Sequence, residues 1–348
     1  MMMMCVCVCV NAVHLPRLLS QGAADVWTSI SDANVTFSSS FCCNETRHME
    51  NVLASIEALR FCFTDILLTI DVPHGGNKSG KRLFEGGPGG YSEFLNSTWG
   101  TQMITTANKT AQAAVALLQS RCPLSLDGPL HPLTWKVDVL NYDEPEMLTT
   151  LEADFGVDAD GFMFGSMYPN TMAYDRMWHF PDAQYVLHAD ADILFYRIGE
   201  GAGPNFIEAS VNLLRSDSRV MMTTPSKVPL LSAMPRTAHL FSKFDAQWHQ
   251  GEALPNTYTQ TFKPVSTESF LIDVQKSRRI FPLYDNPGGF LDHAMDGMES
   301  ILTDRFQELD FVQVTFDCST NIIAGYDALE SVLSRAEAGC VTFNQTVA

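Results

Sequence analysis

The stretch Gln184–Tyr196, QYVLHADADILFY, sets the reading of the whole chain. Tyr185–Ala189 is an apolar run of the length of a buried strand, and it leads directly into Asp190-Ala191-Asp192. In open α/β sheets, ligands bind beyond the carboxyl ends of the strands. Two carboxylates at i and i+2, where a strand gives way to a turn, can share one hard divalent cation. Water and phosphate oxygens then fill its other positions. The expectation is a metal–diphosphate site on Asp190 and Asp192. The competing reading is a turn whose Asp side chains accept from nearby backbone N–H groups. The buried strand ahead of the pair favours the site. His188, inside that strand, reads as a core histidine rather than a ligand.

Outward from this strand the pattern alternates. Val35–Phe41 is rich in β-formers, and Met49, Val52, Leu53, Ile56 and Leu59 recur at helical spacing. Asp65–Asp71 (DILLTID) is a short buried strand ending in a carboxylate. Tyr91–Gln119 is mostly helical, Trp135–Leu140 a strand, and Pro145–Phe155 a helix opened by proline. Phe206–Leu214, Val220–Thr224, Ser269–Val274, Ala294–Leu309 and Phe311–Phe316 continue as helix, strand, strand, helix and strand. Such alternation predicts an α/β fold, a mostly parallel sheet covered by helices on both faces. No repeat or linker splits residues 34–320, so they read as a single domain. Residues 1–33 read as a loose N-terminal extension and 321–348 as a C-terminal one.

Composition narrows the function. The 348 residues carry 22 Lys plus Arg against 40 Asp plus Glu, a net charge of −18. An acid excess of this size repels phosphate backbones and argues against nucleic acid as a partner. No apolar run reaches the roughly 18–20 residues that span a bilayer, so no transmembrane segment is expected. The nine cysteines are odd in number and irregularly spaced, and none forms a C-x-x-C pair. They read as free thiols rather than a disulfide framework or a zinc site. Six N-x-[ST] triplets, at Asn34, Asn44, Asn77, Asn96, Asn108 and Asn344, point instead to a secretory lumen. Met1–Val10 lacks a basic n-region, and the chain is read as cytoplasmic.

Further polar groups fall at strand ends and on the late helix. Asp71 closes the second strand and Asn44-Glu45 follow the first, on the same edge of the expected sheet as Asp190. There they could bind a base and ribose, or merely cap turns. In the late helix, Met295, Met298, Leu302 and Leu309 make an apolar face with Glu299 at its rim and Asp296 on the polar side. A carboxylate at the rim of a buried face is placed to act as a base, though it could be an ordinary flank residue. Arg305 falls inside the apolar stripe and needs a partner, either a core acid or a polar ligand. His293, just ahead of this helix, is a candidate third metal ligand.

Gly75–Lys81 (GGNKSGK) mimics a phosphate loop, but Arg82 stands where Ser or Thr would hold the cation, and LFEGGPGG cannot open a helix. It reads better as a covering loop. That loop, 72–91, and Phe262–Phe270 are candidate docking segments for a second ligand. Trp178, His179 and Trp248 are candidates to stack on a ligand ring or to pack in the core.

Three blocks in order, SFCCNETRHMENVLASIEAL with DILLTIDVP, then QYVLHADADILFY, then GMESILTDR, resemble family 2 glycosyltransferases of the GT-A fold, within the nucleotide-diphospho-sugar transferase superfamily. The resemblance covers roughly residues 34–320. It implies a Rossmann-like sheet in which Asn44, Glu45 and Asp71, with Asp190, bind the donor nucleotide. Asp190 and Asp192 would hold Mn²⁺ or Mg²⁺, and Glu299, or alternatively Asp296, would be the catalytic base. The implied reaction is inverting transfer of one sugar from a UDP- or GDP-sugar to a hydroxyl of a carbohydrate, lipid-linked or protein acceptor. Cys42-Cys43 stand where the family commonly has Pro and an aromatic, and Met298-Glu299 replace its acidic pair. No Q-x-x-R-W type motif of processive synthases is present. The alternatives are a nucleotidyltransferase of related fold and a non-catalytic sugar- or nucleotide-binding protein.

Overall fold

The first strand, β1 (Val35–Cys42), alternates Val35, Phe37 and Phe41 with Thr36, Ser38 and Ser40. Both sets face the interior except Ser40, which is half-buried, so β1 is a central strand with an apolar side and a hydroxyl side. The computed structural model describes residues 27–42, 46–71, 91–122, 133–140, 149–150, 153–154, 177–178, 183–191, 193–197, 205–227, 259–262, 265, 267–283, 298–316 and 322–326. Helix α1 (Thr46–Leu59) follows β1 and buries Met49, Val52, Leu53, Ile56 and Leu59, the set expected from their spacing. Then come β2 (Asp65–Asp71), α2 (Tyr91–Asn96), α3 (Thr98–Arg121) and β3 (Thr134–Val139).

The chain next forms β4 (Tyr185–Asp190), β5 (Ile193–Arg197), α4 (Phe206–Ser216), β6 (Val220–Thr224) and β7 (Ser226–Lys227). It continues with β8 (Thr259–Phe262), β9 (Ser269–Asp273), the short α5 (Val274–Ser277), α6 (Met298–Glu308), β10 (Val312–Phe316) and β11 (Ile322–Tyr326). Most of the expected helix over Pro145–Phe155 lies outside the described residues.

The main sheet has eight strands in the order β3-β2-β1-β4-β9-β6-β10-β8. Strands β1 to β4 run parallel to one another, as do β6 and β10, while β9 enters antiparallel between β4 and β6, and β8 closes the far edge antiparallel to β10. A smaller sheet joins β5, β11 and β7. One core lies under α1, α3 and α4 against Val35, Phe37, Leu187 and Leu271. The other lies under α6, where Leu302 and Phe306 meet Val186, Phe270 and Ile272. Helices therefore cover both faces of a mostly parallel sheet, the α/β architecture expected. Packing extends past the 34–320 span at both ends. Trp27 and Ala33 are buried in the first core, and β11 pairs with β5 along Ile322–Tyr326.

One expectation is overturned. Cys62 and Cys122 are joined by a disulfide, with Cα atoms 5.7 Å apart, so they are not free thiols. The bond ties the C-cap residue of α3 to the segment leading into β2. Sequence spacing hid it, because the partners stand 60 residues apart and meet only when α3 packs back on the sheet. Among the described residues, no helix is long and apolar enough to cross a membrane.

Candidate functional site

The strand order creates the site. From β1 the chain works outward through β2 to β3, then returns to lay β4 on the other side of β1. The boundary between β1 and β4 is thus a topological switch point, where connections diverge, and in open α/β sheets ligands bind beyond the carboxyl ends of the strands at such a point. Asp190, the last residue of β4, stands opposite Ser40 of β1, and Asp71, the last residue of β2, stands opposite Cys42. Both carboxylate-bearing strand ends thus flank the end of β1 on one edge of the sheet.

The side chain of Asp190 is about one-quarter exposed, at 26%, and its Oδ1 lies 3.3 Å from Nε2 of His188. Pleating puts residues 188 and 190 on one face, so the imidazole lies directly beneath the carboxylate. His188 is 1% exposed, and its ring packs tilted on Phe270 of β9 with centroids 5.2 Å apart. It is a core histidine, as expected, yet one that touches the site.

The same face is the one covered by α6, since Val186 and Phe270 belong to the core beneath Leu302 and Phe306. Helix α6 precedes β10, which runs parallel to β4, and so the helix starts at the carboxyl edge of the sheet. One turn beyond Glu299, Thr303 Oγ1 accepts a 2.7 Å hydrogen bond from the Val265 N–H. Three residues after Val265, the Glu268 carbonyl accepts from the Asp190 N–H at 2.8 Å. These two bonds link the first turns of α6 to the end of β4. Half-buried Glu268, drawn to the same edge, was missed by sequence reasoning because it contributes through its backbone.

Arg305 has the partners its burial demanded. Its Nε donates to the Ile280 carbonyl at 2.8 Å and its guanidinium pairs with Glu308 at 2.6 Å. The acid is an exposed one from the same helix, not a core acid. Trp178 is 2% exposed and meets Phe281 edge-on at 4.9 Å, which makes it a core residue rather than a stacking platform. Ser269 and Phe270 are likewise buried within the sheet, which withdraws that end of Phe262–Phe270 from acceptor docking. Asn44, Glu45, Asp192, His293, Asp296, His179 and Trp248 lie outside the described residues, as does the loop 72–90. Among the described residues no three His, Cys, Asp or Glu side chains cluster as a metal site, and Asp190 is the one expected ligand among them.

The titrating groups that are clearly perturbed lie elsewhere. Asp217, the C-cap of α4, is held below the usual carboxylate range by the Arg219 N–H, and burial pushes Lys276 down. Lys276 Nζ donates to the carbonyls of Leu214 and Asp217, so both groups serve the end of α4.

No family model matches the chain, and no curated protein does. Its structural neighbours are glycosyltransferases. It resembles apo mouse xyloside xylosyltransferase 1 at 12% identity and a TM-score of 0.40, over 82% of this chain and 86% of that one. GalNAc-T7 with UDP, GalNAc and Mn²⁺ stands at 11% and 0.42, over 84% and 43%. Glucosyl-3-phosphoglycerate synthase from Mycobacterium tuberculosis, with Mn²⁺, UDP and glucosyl-3-phosphoglycerate, stands at 11% and 0.36, over 91% and 80%.

Proposed function

We propose that this chain is a glycosyltransferase that moves one sugar from a nucleoside diphosphate sugar to an acceptor hydroxyl, with inversion and with help from Mn²⁺ or Mg²⁺. The observation that carries the reading is the position of Asp190. It ends a buried strand at the switch point, with its carboxylate held from below by His188, on the face where α6 begins. A partly exposed carboxylate at such an edge suits a hard cation and the phosphates it accompanies.

When bound, the cation supplies charge neutralisation of the departing nucleoside diphosphate. Asp190 and Asp192 hold it. Asn44, Glu45 and Asp71, at the ends of the neighbouring strands, accept hydrogen bonds from the base and ribose. Glu299, in the first turn of α6, takes the proton from the acceptor hydroxyl as that oxygen attacks the anomeric carbon from the face opposite the diphosphate. Asp296, one turn earlier in sequence, is the other candidate for this role. In-line attack of this kind inverts the configuration. The protein's share of the rate is positioning and electrostatic stabilisation.

The test is transfer from UDP- and GDP-sugars to carbohydrate, lipid-linked and protein acceptors, with the anomer of the product read by NMR. Expected are Mn²⁺- or Mg²⁺-dependent transfer with inversion, lost in Asp190→Ala/Asp192→Ala and in one of Glu299→Gln or Asp296→Asn. Pyrophosphate release from a nucleoside triphosphate would instead make the chain a nucleotidyltransferase. Tight donor binding with no turnover on any acceptor would make it a sugar-nucleotide binding protein.

A further inference from the structure

Two features of the α2–α3 region have no part in the edge described above. Asn96-Ser97-Thr98 and Asn108-Lys109-Thr110 are both N-x-[ST] triplets, and both Asn side chains are exposed. Among the described residues their amides bond locally, Asn96 Nδ2 to the Ser92 carbonyl at 2.8 Å and Asn108 Nδ2 to the Ile104 carbonyl at 2.9 Å. Helix α3 is 24 residues long, yet its only charged residues are Lys109 and Arg121. An outer helical face is ordinarily kept solvated by charge, and here Thr, Gln, Asn and Ala occupy it.

The second feature is the Cys62–Cys122 disulfide at the other end of the same helix. Disulfides form and persist in oxidising compartments and are rare where thiols are kept reduced. Asparagine-linked glycosylation takes place on the lumenal side of that same boundary. The bond and the triplets are independent in sequence and chemistry, and both point to one compartment.

We infer that this region carries asparagine-linked glycans, at Asn96 at the end of α2 and at Asn108 on the outer face of α3, in a chain that matures in an oxidising secretory lumen. This replaces the cytoplasmic expectation and does not depend on the proposed transfer reaction. The co-substrate is a lipid-diphosphate-linked oligosaccharide. A bond forms between Asn Nδ2 and the anomeric carbon of the reducing-end sugar, and the bond from that carbon to the diphosphate oxygen breaks. The lipid diphosphate leaves with the electron pair, and one amide proton is lost to base. Nδ2 retains its other hydrogen, which continues to serve the Ser92 or Ile104 carbonyl. Thr98 and Thr110 complete the acceptor triplets. Asn34 differs, being half-buried where β1 begins, with its backbone bonded to Gln184 and Tyr185. It is not assigned a glycan.

The full chain is isolated from its own cells, alkylated without reduction and treated with peptide N-glycosidase in ¹⁸O water. The enzyme converts each glycan-bearing Asn to labelled Asp. Expected are labelled Asp at positions 96 and 108, and an unalkylated peptide pair joining Cys62 to Cys122. Asn108→Gln, at an exposed site, should run one glycan smaller on a gel and unfold at the unchanged temperature. An unlabelled amide at either position overturns the assignment there. Unlabelled amides at both, or alkylated Cys62 and Cys122, overturn the inference as a whole.

Discussion

His188 Nε2 approaches Asp190 Oδ1 to 3.3 Å across two residues of one strand, a buried imidazole bonded to the carboxylate at the mouth of the site. The ring is fixed by Phe270, so it holds the carboxylate in one orientation before any ligand arrives. With Asp190 in its proposed role as a cation ligand, His188 would orient that ligand without touching the metal, and removing groups of this kind commonly changes metal affinity about 10–100-fold. His188→Leu should raise the Mn²⁺ concentration for half-maximal stabilisation by about that factor. His188→Gln, which keeps a donor, should lose less. A titration of melting temperature against Mn²⁺ in the presence of donor nucleotide reads both; equal Mn²⁺ requirements in wild type and His188→Leu would refute the positioning role.

Arg305 bears on how α6 is held. It is 7% exposed, and its removal leaves the Ile280 carbonyl without that donor and opens a cavity beside Leu302 and Phe306. Arg305→Ala should cost about 2–4 kcal/mol of stability in urea unfolding. The folded fraction should bind donor nucleotide with unchanged affinity. A loss of affinity at unchanged stability would mean that the guanidinium faces ligand.

The Cys62–Cys122 bond closes a loop of 60 residues. Constraint of the unfolded chain by a loop of that size is worth about 4 kcal/mol in the chain-entropy model, with measured losses commonly about 2–5. The double variant Cys62→Ser/Cys122→Ser should therefore melt lower than wild type, and reduction of the wild type should reproduce the shift. Identical melting with and without reductant would show that the bond contributes nothing.

Gly100 sits where α3 turns back on α2. A Cβ built there would fall 2.0 Å from the Phe94 carbonyl oxygen, a backbone atom that cannot swing aside. The close approach lets the Ser97 hydroxyl accept the Gly100 N–H at 2.8 Å and cap the helix. Gly100→Ala should destabilise by about 1–3 kcal/mol, although alanine is the better helix former. Unchanged urea unfolding would contradict the packing described.

The elements were legible in the sequence because each carries its own period. The spacing of Met49 to Leu59 and the apolar runs 65–71 and 185–189 specify helix and strands locally. Which strands pair was not legible. Nothing in Ser269–Asp273 says that it runs antiparallel between β4 and β6, because its partners lie about 50–90 residues away and sheet order is a property of the assembled core. Of the site, Asp190 was readable from its strand. Its contact with His188 was not, since the same alternation is met by any buried histidine. Arg305 announced its need for a partner by falling on an apolar stripe, but the Ile280 carbonyl appears only after folding. Glu268 left no signal, since any residue type can donate its carbonyl.

The central claim is that the edge formed by β1, β2 and β4 binds a nucleoside diphosphate sugar through a cation on Asp190 and Asp192. Thermal unfolding against a panel of nucleoside diphosphates and nucleotide sugars, each with and without Mn²⁺, tests it most directly. A ligand at a hundred times its dissociation constant adds about 2.7 kcal/mol, enough to move the melting temperature visibly. The account predicts a Mn²⁺-dependent rise confined to one nucleotide and absent from Asp190→Ala/Asp192→Ala. No rise with any donor in a cooperatively unfolding protein, or an equal rise in the double variant, would contradict it.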